Sequence, residues 1–431
     1  MPSQTKKHPD TQLVHTFELS NGLKLLVQED HRAPVVVSQI WYKIGSSYEP
    51  IGLTGISHIL EHMMFKGTPK YGVGEFSRII AENGGDENAF THYDYTGYYQ
   101  LLDVAKLPIA FELEADRMRH LTLDPEEFEK ERQVVMEERL MRTEDDPHGK
   151  AYERWMAAAY ISTAYHHMPI GWMHDIQNIT VTDLRAWYEK WYAPNNALIV
   201  VVGDVRPEAV YQLAQQYFGH LKPAELPIVK PQLEIQPLGK RQVAVKVPAE
   251  VPWFGMAYNV PSLKMDLTSI EPYVLCVIAT ILNGGRSSRL SQDLIRGKAV
   301  AASANAWYDP YCRLDSLFVL EGTPAISHRV ADVEKALLAQ IKRLKTTTVT
   351  AEELARVKTR AIALKTYAQD SISRQANEIG GLEAAGLPWR LRDEYIAGIS
   401  TVTPEQIKTV AKRYLTNERL TVLKLKPLKI S

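Results

Sequence analysis

LDPEEF at 123–128 returns as VTAEEL at 349–354, NAF at 88–90 as NAW at 305–307, and YAPNNAL at 192–198 as YLTNERL at 414–420. The three echoes are colinear at offsets of roughly 217 to 226 positions, as a duplicated unit with small insertions gives. At 431 residues the chain also exceeds the ~250–300 residues at which a single core stops growing. Two similar units of about 200 residues each are therefore the reading that length and repetition share. From Gly219 to Lys240 the sequence turns proline-rich and loses its periodicity (KPAELPIVKPQLEIQPLGK), the composition of an extended connector. The expected division is a first domain at 12–222, a connector at 223–240 and a second domain at 241–431.

Within the first unit, Phe17 to Gln28 alternates about an Asn21-Gly22 turn as a hairpin does, and Val35 to Tyr42 reads as the next strand. Helical spacing begins near Thr54. Glu75 to Asn83 reads as a helix, Phe90 to Leu102 as a strand, and Leu107 to His120 and Pro125 to Arg142 as helices. A further helix from Thr182 to Trp191 runs into a buried strand at Ala197 to Val202. Strands and helices mix without strict alternation, which predicts an α+β fold.

Composition excludes several classes. Fifty basic against fifty-one acidic side chains, a net charge of -1, supply no overall field for nucleic acid or an anionic membrane. Cys276 and Cys312 are too few for a disulfide framework. The start, MPSQTKKHPDTQ, lacks the apolar stretch of a secretory signal, and the longest apolar run, Tyr273 to Leu282, is too short to span a bilayer. No membrane span is expected; the location is cytoplasmic on this reading, or periplasmic if a signal was removed.

The chemistry lies in HILEH at 58–62. His58 and His62, four apart on a helix, put two imidazoles on one face at the separation that two ligands of one tetrahedral ion need. Glu61 lies beside them, close enough to take a proton from a water at that ion. Two hydrogen-bonded core histidines would show the same pentapeptide, and a catalytic site needs a third ligand. The acidic helix PEEFEKERQVVMEE at 125–138 offers one: Glu131 and Glu138, seven apart, share a face, while Glu137 is turned away by about 100°. That face offers one ligand and one carboxylate to support it.

These residues resemble the inverzincin peptidases of the pitrilysin, insulinase and mitochondrial processing peptidase group. The matching segments are GISHILEHMMFKGT at 55–68, GGDENAFT at 84–91 and Glu131 to Glu138, with APNNA at 193–197 and Gly203-Asp204 extending the likeness. The resemblance implies two homologous domains, each a mixed, mostly antiparallel sheet with helices packed on it. It implies one zinc ion per chain held by His58, His62 and Glu138, with Glu61 as general base and Glu131 orienting a ligand histidine. Asn88, Ala89 and Phe90 would pair with an extended peptide substrate, and the activity would be that of an endopeptidase on short or unfolded peptides. The second domain would be a metal-free copy, with Leu364 opposite Glu138.

In that group the metal-free half commonly supplies an arginine and a tyrosine to the substrate. Here LIRGKAVAA at 294–302 keeps Arg296 but has Ala302 where the tyrosine would stand. A homologous metal-free subunit supplying both groups, in a heterodimer, is the partner this implies; a homodimer is the alternative. A non-catalytic structural or assembly subunit of the same fold is the rival reading.

Overall fold

The computed structural model describes residues 13–428; the segments 1–12 and 429–431, and with them the outer ends drawn for the two domains, lie outside the described residues. The first sheet is built from β1 (Val14–Glu18), β2 (Lys24–Glu29), β3 (Val35–Tyr42), β4 (Asp86–Thr91), β5 (Thr96–Asp103) and β6 (Ala197–Gly203). Its order is β1-β2-β6-β3-β5-β4. The second contains β7 (Arg241–Pro248), β8 (Trp253–Val260), β9 (Ala301–Tyr308), β10 (Ser316–Pro324) and β11 (Leu420–Leu428), in the order β7-β11-β8-β10-β9. Without β1 the orders coincide strand for strand, including the one parallel pair in each, β2 with β6 and β7 with β11. The fold is thus two homologous α+β domains, each with a mixed, mostly antiparallel sheet. No helix or strand lies between Phe218 and Arg241.

One expected strand is two. Phe90 to Leu102 is split between β4 and β5, which pair as a hairpin about a turn closed by the amide of His92 on the carbonyl of Tyr95 (2.8 Å). The turn contains neither glycine nor proline, so composition does not announce it. The helix expected to reach Arg142 ends at Arg139 and continues as a wider π turn, Leu140–Glu144.

Central strands such as β6 (ALIVVVG) are buried along their whole length, which requires cover on both faces. Leu25, Val27, Ile199 and Val201 face a core formed with helices of the first half. Their alternates Leu26, Leu198, Val200 and Val202 face Ala376, Ile379 and Trp389 of the second half. The helix that covers this face, Ile372–Ala384, comes from the second half, while Pro147–Ala159 of the first half lies on β7, β8 and β11. The halves have exchanged helices.

Both exchanged contacts press a tryptophan against a glycine. A Cβ on Gly255 would meet the Trp155 ring at 2.4 Å, and one on Gly380 would meet the Trp41 ring at 2.2 Å. Gly255→Ala or Gly380→Ala is expected to cost about 1–3 kcal/mol by overpacking, seen as a lower denaturant midpoint with an unchanged m-value. A midpoint equal to that of the parent would show that these contacts yield.

Candidate metal centre

His58 and His62 lie one turn apart on the helix Ile56–Met63, their rings 4.8 Å apart. The start of that helix is anchored by Glu49, whose carboxylate accepts the amides of Gly55 (2.7 Å) and Ser57 (2.8 Å). A carboxylate here satisfies two free N–H groups and meets the positive end of the helix dipole. His167 presses on the same support: it is buried, with Nε2 3.0 Å from the Ser46 carbonyl and 3.5 Å from Glu49. Its sequence neighbourhood, without an acidic companion, suggests a loop or interface residue; the companion is more than a hundred positions away.

Glu138, from the helix Pro125–Arg139, brings Oε2 to 3.7 Å from His58 Nε2 and 3.4 Å from His62 Nε2. The three ligand atoms lie within 4.8 Å of one another, and among the described residues this is the one such group. Ligands about 2.0–2.2 Å from a tetrahedral zinc ion are separated by roughly 3.3–3.6 Å, and the two distances from Glu138 to the histidines lie close to that range. The bonding around the three groups suits an ion as well. His62 Nδ1 is 3.0 Å from Glu131 Oε2, and Glu131 Oε1 is 2.5 Å from Lys66 Nζ. With its proton on Nδ1, His62 aims a lone pair at a carboxylate oxygen, an arrangement that a cation between them makes favourable. The other Glu138 oxygen, Oε1, pairs with the Arg142 guanidinium at 2.5 Å. His58 Nδ1 is buried and has no partner among the described residues.

Burial, and then the charge on His62, push the His58 imidazole down to about 4. Burial also works against a charge on His62, but hydrogen bonds to Glu131 and Glu138 outweigh it and carry that ring up to about 9. Glu138 is held below the usual carboxylate range, chiefly by its hydrogen bond with His62. Glu61 moves the other way, raised by burial against the opposing pull of a hydrogen bond from the Thr91 hydroxyl.

These groups open onto a cavity of about 770 Å³ whose wall includes His58, Glu61, His62, Glu138 and the β4 residues Asn88 to Thr91. β4 is the last strand of its sheet. Arg296 does not join them: it is exposed on the segment Leu290–Gly297 and is not part of that wall. Sequence reasoning missed Lys66, Arg142 and Glu49. Lys66 and Arg142 each follow a site residue by one helical turn, a signal that was available; Glu49 left none. In the second half Cys276, Thr280 and Leu364 line a cavity of about 440 Å³ beside β9.

The chain resembles the zinc protease PqqE of Helicobacter pylori, at 32% identity over 95% of this chain and 92% of that one. The chain belongs to the insulinase family. The family profile (Peptidase family M16) matches residues 24–168, and that of the Peptidase M16 inactive domain matches 178–361. An uncharacterized zinc protease of Bacillus subtilis, YmxG, is 25% identical over 94% of this chain and 97% of its own. Among solved structures, a protease from Helicobacter pylori superposes with a TM-score of 0.91 at 30% identity, covering 96% of this chain and all of that one. The periplasmic protease PqqL of Escherichia coli shares the fold, with a TM-score of 0.82 at 19% identity; this chain covers 48% of it. No helix among the described residues is long and apolar enough to cross a membrane.

Proposed function

We propose that this insulinase-family chain is a zinc-dependent endopeptidase for short or unfolded peptides, with 12–222 as its catalytic domain, 241–431 as a metal-free copy and 223–240 joining them. His58, His62 and Glu138 hold the ion. The supporting observation is the convergence of two imidazole Nε2 atoms on one Glu138 oxygen, in a cavity that Glu61 shares. A bound zinc ion supplies Lewis acidity, polarising a carbonyl and lowering the pKa of a water toward about 7.

Glu61 takes the proton of the attacking water and delivers it to the leaving amine. Its burial, which raises its pKa, suits it to carry that proton, and Thr91 holds its carboxylate. Glu131 fixes the tautomer and angle of His62. β4 has β5 on one side and no described strand on the other. An extended peptide can therefore add its main chain along Asn88, Ala89 and Phe90, a mode largely blind to side chains.

Ala302 offers no phenol, and Arg296 lies off the cavity wall. A homologous metal-free subunit supplying arginine and tyrosine completes the site in a heterodimer; the alternative assembly is a homodimer, whose second copy brings the same Ala302 and no such phenol. The rival reading, a non-catalytic subunit, gains little from the inactive-domain match, because 178–361 excludes all the metal-site residues.

Cleavage of an internally quenched peptide, by the chain alone and mixed with its homologous partner, tests both statements. Chelator-sensitive cleavage that rises about 10²- to 10³-fold on mixing is expected, the scale of gaining an oxyanion donor. Indifference to chelator removes the metallopeptidase reading. Full speed from the chain alone removes the partner.

A further inference from the structure

The Asp94 carboxylate, 1% exposed, lies in the turn between β4 and β5 and accepts four hydrogen bonds. Ser47 Oγ (3.0 Å) and Tyr165 Oη (2.5 Å) come from the first half. The other two donors, the amide (3.1 Å) and Nε (3.2 Å) of Arg313, come from the loop between β9 and β10 in the second. Arg313 Nη2 also donates to Ser47 Oγ at 2.7 Å, and its guanidinium lies 4.2 Å from the centre of the Tyr48 ring. One arginine of the metal-free half is therefore inserted between two segments of the catalytic half.

Both segments lead to the site. The amides of Ser46 and Ser47 donate to the carbonyls of His92 (3.1 Å) and Tyr93 (2.7 Å), strapping the hairpin turn down. Two residues beyond Ser47, Glu49 holds the first amides of the metal-bearing helix. Three residues before Asp94, Thr91 donates to Glu61 at the end of the edge strand. We propose that Arg313 is a positioning residue by which the metal-free half holds the peptide-pairing strand β4 in register with the metal-bearing helix. This rests on the peptidase reading above for its consequence, though not for its geometry.

Without the Arg313 side chain, Asp94 keeps three neutral donors, Ser47 Oγ, Tyr165 Oη and the backbone amide of residue 313, but this buried carboxylate loses its countercharge, so the turn gains by moving toward water. Lysine can neutralise Asp94, but it lacks the planar fork that reaches Asp94 and Ser47 together. Arg313→Ala is expected to retain one zinc per chain while kcat/KM falls about 10- to 100-fold, chiefly through KM. Amides of residues 86–95 should exchange with solvent about tenfold faster or more, with Arg313→Lys in between and Ser47→Ala a few-fold above the parent.

Parental exchange over 86–95 together with a parental KM in Arg313→Ala overturns the proposal. If that variant does not fold, Arg313→Lys and Ser47→Ala decide by the same two readouts. Loosened exchange in a protein whose parent cleaves no peptide sinks the peptidase reading and leaves the clamp standing.

Discussion

Glu61→Gln is expected to keep a full complement of zinc and to lose about 10²- to 10⁴-fold or more in kcat. The exchange preserves shape: the new carboxamide oxygen can still accept the Thr91 hydroxyl that now reaches Glu61 Oε2, so the β4 contact survives. What disappears is the site that receives the proton from water. Glu61 is not among the three groups that converge as ligands, so metal content by mass spectrometry should match the parent. Peptide affinity, read by titrating the inactive variant, should be little changed. A variant with parental turnover would remove Glu61 as the base.

His62→Ala should fail in the opposite way, with the ion gone and the fold retained. It removes one of three converging donors and strands two carboxylates, since Glu131 (3.0 Å) and Glu138 (3.4 Å) both lean on that ring. Zinc should fall to well under one ion per chain after dialysis, and activity with it. Glu131→Gln is graded: the ligand stays, but its orienting charge is lost, which typically weakens metal binding about 10- to 100-fold. Competition with a chromogenic chelator separates the two variants. A His62→Ala protein that still holds zinc tightly would show that the ion sits elsewhere.

Which parts of this were legible beforehand follows from distance along the chain. The duplication was, because repetition survives as colinear echoes, and the matching strand orders of the two sheets reproduce it. The meeting of His58, His62 and Glu138 was also accessible, since helical spacing puts the histidines on one face and Glu131 with Glu138 on another, and the family resemblance singles out Glu138 as the ligand. The hairpin turn at 92–95 was not, because Asp94 is held by Ser47, Tyr165 and Arg313, residues between 47 and 219 positions away. The exchanged helices were equally invisible. An apolar face on Pro147–Ala159 or Ile372–Ala384 says that a helix is buried, and nothing local says against which sheet. Arg296 shows the converse limit: a motif position can be kept while its side chain faces solvent.

Duplicated halves suggest modules that could be cut apart and used singly, but the crossed helices rule this out. Each half, expressed alone, would present one bare sheet face and one stranded amphipathic helix, a combination prone to aggregate. Nicking the exposed stretch between 222 and 240 should instead leave both fragments clasped together and working, so duplication here has produced a molecule divisible in its chain but not in its body.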